Sequence, residues 1–172
     1  ILKPDSKIGV VAHVKGSSTA TEREDGIREG LGEDQNRIQD IVYCNSSYDL
    51  ASDLTEKMLK ERPEIDVVIG TNEYSAVGAA RGVKKMGMED QVKVVGFDNS
   101  VEQIQLLEAG VFQGIVIQKP FNIGYLGVEQ AVKQLKGYPM EYNLDSGCKL
   151  ITKENMYEEE NQRLLYSFSG QQ

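Results

Sequence analysis

The sequence predicts an α/β protein, a three-layer sandwich in which an open parallel sheet carries helices on both faces. Three observations predict it. Short, continuous apolar runs recur along the chain, the mark of strands buried on both faces. Segments with helical periodicity and readable starts lie between them, giving the order βαβαβαβαβα. That alternation demands parallel strands joined by crossover helices.

The first strand is Ile8-Gly-Val-Val-Ala12. Thr19-x-x-Glu22 then fits a capping box, ahead of Ala20, Ile27 and Leu31 on one helical face. The second run, Ile38–Tyr43, is less continuous and suits a strand nearer a sheet edge. Asp49 is expected to cap the next helix, whose stripe of Leu50, Leu54 and Met58 ends at Arg62-Pro63. Asp66–Gly70 is the third strand, and Asn72 sits where a cap belongs before Ala76, Ala80 and Val83. Val92–Phe97 is the fourth, followed by the capping box Ser100-x-x-Gln103, by Ile104 and Leu107, and by Gly110 as the stop. Val111–Ile117 is the fifth. Asn122 is expected to begin a helix that carries Ile123, Leu126, Ala131 and Leu135 and stops at Gly137. Beyond it Tyr138–Gly147 is polar and irregular, and Cys148–Thr152 is a weaker sixth strand. The tail from Glu154 to Gln172 is charged, then rich in Ser, Gly and Gln, and its end is expected to fray.

A length of 172 residues fits one domain, or one with an appendage. The balance of 19 Lys+Arg against 27 Asp+Glu, a formal charge of −8, argues against nucleic acid and against anionic membrane surfaces. No apolar run approaches the roughly 18 residues that span a bilayer. One histidine (His13) and two cysteines (Cys44, Cys148) do not assemble a Cys/His zinc site. A Ser-His-Asp unit would have to run through His13, and no Gly-x-Ser-x-Gly elbow presents a serine. His13 itself reads as a loop residue. Two cysteines so far apart make no disulfide framework and fix no redox compartment. The chain opens Ile1-Leu2-Lys3-Pro4, without an initiator Met or a signal peptide, and is expected to be an internal piece of a longer protein.

In an open parallel sheet, ligands bind beyond the carboxyl ends of the strands. Those ends carry His13-Val-Lys-Gly-Ser-Ser-Thr-Ala-Thr21 leading to Arg23, then Asn45 to Tyr48, Thr71-Asn72-Glu73, Asp98-Asn99-Ser100 and Gln118-Lys119-Pro120. Each position also has a plain structural reading. Asn72 serves equally as an N-cap, Asp98 as an Asx-turn, Gln118 as a solvated loop residue and Tyr48 as a packed surface aromatic. Arg23 is harder to explain that way. It falls near a helix N-terminus, where the dipole disfavours a cation, and four residues before Ile27 on the inward side. A guanidinium there needs partners, and Asp98 is expected to be one. Arg, Asn, Asp and Gln are planar groups that bind two oxygens at once, as the adjacent hydroxyls of a sugar require, and a tyrosine can cover an apolar sugar face. None is a poised nucleophile or base, so binding rather than catalysis is expected, with no metal and no cofactor.

The sequence resembles the ribose-type branch of the periplasmic sugar-binding proteins, the extracytoplasmic receptors of sugar ABC transporters. The matching stretches are Lys7-Ile-Gly-Val-Val with Thr21-Glu-Arg-Glu-Asp-Gly26, Val68-Ile-Gly-Thr-Asn72 with Ala76-Val-Gly-Ala79, and Val94-Val-Gly-Phe-Asp98. Leu107-Glu-Ala-Gly110 and Gly114-Ile-Val-Ile-Gln118-Lys-Pro120 with Ile123-Gly124 complete the series. The resemblance implies one lobe of a type I periplasmic-binding-protein fold. It implies ligand-binding roles for Arg23, Asn72, Asp98 and Gln118, and a stacking role for Tyr48. It further implies a sugar ligand, a membrane permease as partner of the full-length protein, and an extracytoplasmic or lipid-anchored location. Family members have two lobes, and the resemblance implies that this sequence carries only the second. Residues 1–118 would be the sugar-binding lobe, 119–147 a segment that crosses to the first lobe, and 148–172 the return strand and tail. The apolar stripe of the crossing helix would lack its seat, so the isolated chain is expected to fold that helix back, to lose its order, or to form a homodimer, pairing being favoured.

The nearest alternative is the effector-binding domain of a lac-repressor-type regulator, which shares the fold. Leu107-Glu-Ala-Gly-Val-Phe-Gln-Gly114 favours the transporter branch, since regulators resemble Pro-x-Leu-Thr-Thr there. A flavodoxin-like protein is a further alternative, on the hydroxyl-rich Ser17–Thr21 loop, but that loop lacks glycine and the chain lacks tryptophan. A Rossmann dehydrogenase would need Gly-x-Gly-x-x-Gly.

Overall fold

The computed structural model describes residues 3–166. Strands β1 (Lys7–Ala12), β2 (Ile38–Tyr43), β3 (Ile65–Gly70), β4 (Lys93–Phe97), β5 (Phe112–Gln118) and β6 (Cys148–Ile151) form one sheet, ordered β2-β1-β3-β4-β5-β6. β1 to β5 run parallel. β6 runs antiparallel to β5, with Cys148 opposite Gln118, a departure from the all-parallel expectation. The reason is where the chain re-enters: it returns at the end of the sheet by which β5 left.

Helices α1 (Ser18–Leu31), α2 (Tyr48–Glu61), α3 (Glu73–Lys85), α4 (Val101–Glu108), α5 (Pro120–Leu135) and α6 (Glu159–Leu165) complete the described chain. α6 lies in the charged part of the tail, and a 3₁₀ turn at Gly32–Arg37 follows α1; the sequence pattern predicts neither. The frayed end expected for the tail, 167–172, lies outside the described residues.

Strand alternation assigns the two faces. Ile8, Val10 and Val67 lie on one, where Ile27 and Leu31 of α1 pack against them. Val11, Val68, Val94 and Ile115 lie on the other, under Met58 and Leu59 of α2, Ala76 and Ala80 of α3, and Leu107 of α4. Burial of each Val, Ile, Leu or Met among them contributes about 1.5–3 kcal/mol. The layers are therefore uneven, with one helix on the first face against α2, α3 and α4 on the second.

Several predicted starts shift. α1 is capped by Ser17, not by the Thr19/Glu22 box, and α2 by Ser47 rather than Asp49. In each case a hydroxyl two residues earlier accepts the orphan N–H, from Ala20 and from Leu50. Leu50 is correspondingly exposed, and Ala51, Thr55, Met58 and Leu59 form the buried face of α2. The Ser100 cap of α4 holds, but the Gln103 side chain bonds the Phe97 carbonyl instead of closing the box.

α5 begins at Pro120, not Asn122, because proline's fixed φ suits the first helical position. It has no buried residue and does not fold back on the sheet. Of the expected stripe, Ile123, Ala131 and Leu135 are exposed and Leu126 is half-buried, and a longer exposed row runs through Phe121, Tyr125, Val128, Val132 and Leu135. The spacing of four, three, four and three residues is that of a helix seam.

Candidate functional site

The carboxyl ends of β1, β3, β4 and β5 meet at one edge of the sheet. Gly70 allows the start of α3 to sit directly on the end of β3, since a Cβ there would lie 2.3 Å from the Ala76 Cα. Asn72 caps α3 in a full box: its Oδ1 accepts from the Ser75 N–H, and Ser75 Oγ accepts from the Asn72 N–H, both at 2.9 Å. Its Nδ2 donates to Ser46 Oγ of the β2–α2 loop at 3.3 Å.

Arg23 is the hub. Because Ser17 rather than Thr19 caps α1, Arg23 lies in the second turn, beyond the strongest part of the dipole. Its Nη1 donates to the Thr71 carbonyl at 2.6 Å. Its Nη2 lies 3.5 Å from Asp98 Oδ1 and donates to Gln118 Oε1 at 3.4 Å. The guanidinium carbon stands 4.1 Å from the centre of the Phe97 ring. Asp98 has φ +68°, a left-handed backbone that Asp tolerates better than most residues. Its Oδ2 accepts the Glu73 N–H at 3.3 Å, so one carboxylate serves both the positive end of α3 and Arg23. Beneath lies a cavity of about 170 Å³ lined by Arg23, Thr71, Phe97 and Val116 among others.

Arg23, Asp98 and Gln118 are thus in contact, and Asn72 adjoins them through Thr71 and Glu73. Tyr48 stands apart from the hub. Its hydroxyl donates to Glu73 Oε1 at 2.6 Å, which together with burial pushes the phenol up to about 12. Tyr74 and Arg81 both pack on its ring, with centroid distances of 4.7 and 4.9 Å. Sequence reasoning missed Phe97, which lay inside a quoted motif, and His13, which it set aside as a loop residue. His13 is 7% exposed. Its Nδ1 and Nε2 meet the hydroxyls of Thr71 and Thr19, each at 3.0 Å. Its position directly beyond β1 was the available signal.

The polar groups at this edge are planar amides, a guanidinium that donates and a carboxylate that accepts. Among the described residues no three His, Cys, Asp or Glu side chains gather to hold a metal ion. Such a set binds paired hydroxyls by bidentate hydrogen bonds.

Residues 1–139 match the family model described as a periplasmic binding protein domain. A sugar transporter from Clostridium phytofermentans is 51% identical, with a TM-score of 0.76, covering 86% of this chain and 53% of that one. An ABC transporter solute binding protein from Agrobacterium vitis, bound with α-D-tagatopyranose, is 26% identical with a TM-score of 0.84, covering 94% and 55%. The ribose import binding protein RbsB of Haemophilus influenzae is 27% identical over 154 residues, 88% of this chain and 51% of its own length. The chain spans about half the length of the relatives it matches.

Proposed function

The chain belongs to the periplasmic binding protein domain family, and from that membership we propose that it is the ligand-binding lobe of an extracytoplasmic receptor delivering a sugar or sugar-like ligand to an ABC-transporter permease. The observation that carries this reading is the Arg23 guanidinium shared among the Thr71 carbonyl, Asp98 and Gln118 at the sheet edge. Arg23, Asn72, Asp98 and Gln118 are assigned as the hydroxyl-binding groups, and Tyr48 as an aromatic at the rim on the Asn72 side. The role is binding without turnover. The three relatives above are named as transport or import proteins, which favours the receptor over a lac-repressor-type regulator.

Residues 1–118 are the lobe proper, 119–147 the segment that crosses to the other half of the protein, and 148–172 the return strand and tail. Two surfaces support that division. The α5 stripe is exposed, and Val95, Phe97 and Val116 are only partly buried on the face that α1 leaves open. Where the other half is missing, two copies pair through α5. A calorimetric screen of D-ribose and D-tagatose on the full-length polypeptide tests the function. Micromolar binding that Arg23→Ala weakens at least tenfold is expected, and no binding of any pentose or hexose would refute it.

A further inference from the structure

His13 is the chain's single histidine, buried at the same sheet edge, and none of the ligand-contacting roles above uses it. Its ring joins two elements. Nδ1 meets Thr71 Oγ1 beyond β3, and Nε2 meets Thr19 Oγ1 in the first turn of α1, with Ser17 Oγ 3.5 Å from the same nitrogen. Thr19 and Arg23 are four residues apart on one helix and so share a face. Thr71 is 1% exposed, its N–H is bonded to the Val11 carbonyl, and its own carbonyl accepts Arg23. The imidazole therefore closes a ring of contacts, from Thr19 along α1 to Arg23, across to Thr71 and back. We propose that neutral His13 is a positioning residue of this site, clamping Thr71 against α1 so that Arg23 and the following Asn72 are aimed at the ligand, an assignment that rests on the sugar-binding reading above.

Removing the ring leaves the buried Thr71 hydroxyl unpaired and frees α1 to slide relative to β3, which is costlier than losing an exposed contact. Protonating it weakens the clamp differently. The charged groups facing His13 are Arg23 and Glu24 on α1 and Asp98 beyond β4. Burial and the Arg23 charge hold the imidazole below its usual 6.5, against the opposing pull of Asp98 and Glu24. The ring is neutral at pH 7, and acid introduces a second cation near the half-buried Arg23.

Nuclear magnetic resonance on this chain tests the clamp, because one histidine gives one imidazole signal. The Arg23 Nε–H signal of the wild type is expected to be resolved at pH 7 and to fade as His13 titrates below pH 6.5. His13→Leu should lose that signal at every pH. His13→Asn, which can still reach Thr71, should keep it at pH 7 and through the range in which the wild-type signal fades. In the full-length polypeptide, D-ribose affinity should fall at least about tenfold for His13→Leu and less than about threefold for His13→Asn. If no pentose or hexose binds the wild type while the Arg23 signal follows His13, the positioning role stands and the sugar reading falls. If the signal ignores both the His13 titration and a cooperatively melting His13→Leu, the positioning role is overturned. Should His13→Leu fail to fold, the wild-type titration and His13→Asn decide.

Discussion

Asp98 carries backbone and site at once. Its left-handed φ turns the carboxylate toward the Glu73 N–H and Arg23, a conformation that costs most residues about 1–2 kcal/mol. Asp98→Asn keeps the turn and loses the charge pair, so urea unfolding should show a change below about 1 kcal/mol. Asp98→Ala loses both and should cost about 1–3 kcal/mol. Tyr48 gives a pH-dependent counterpart. Its phenol is raised to about 12 while an unfolded tyrosine titrates near 10, so the stability it contributes is complete below pH 10 and is lost as pH rises toward 12. Tyr48→Phe should remove that alkaline component, read as the pH dependence of the melting temperature. At this scale much was legible. The meeting of Arg23, Asn72, Asp98 and Gln118 at one sheet edge could be expected, because the last three directly follow apolar runs and Arg23 is a guanidinium near a helix start that needs partners. For His13 the position directly beyond β1 was a signal, but a lone imidazole does not show which hydroxyls will meet it. Phe97 was hidden because an aromatic at a strand end reads as core.

Helix starts were less legible than strands. Ser17, Ser18 and Thr19 all suit an N-cap, and sequence offers no basis for choosing among neighbouring hydroxyls. Tertiary contacts decide: with Ser17 at the cap, Thr19 is free to meet His13. The strands were readable because buried parallel strands are continuous apolar runs, whereas the direction of β6 depends on a path that no local pattern encodes. The joint between β3 and α3 is the element on which Asn72 depends. A Cβ at Gly70 would overlap the Ala76 backbone, which cannot yield as a flexible side chain does. Gly70→Ala should therefore destabilise by about 1–3 kcal/mol in thermal or urea unfolding and displace the Asn72 cap. The α5 seam makes a further demand. Sedimentation of the isolated chain should show concentration-dependent pairing that Val128→Glu abolishes, and a wild type that stays monomeric at high concentration would refute the pairing.

For the whole molecule, the uneven layers and the open donor cluster belong together. A site built on one sheet edge leaves its ligand solvated, and hydrogen bonds that only replace those to water contribute about 0.5–1.5 kcal/mol each. The chain alone should therefore hold a sugar at millimolar affinity, and micromolar affinity requires a second surface that strips water from the other side of the ligand. Weak binding is still localisable. The most direct measurement is a backbone and side-chain amide titration of this chain with D-ribose and with D-tagatose into the tens of millimolar. The account expects saturable shifts confined to the strand ends, at Arg23, Asn72, Asp98 and Gln118, and absent in Arg23→Ala. Shifts that leave those residues untouched, or none at any concentration with either sugar, would contradict it.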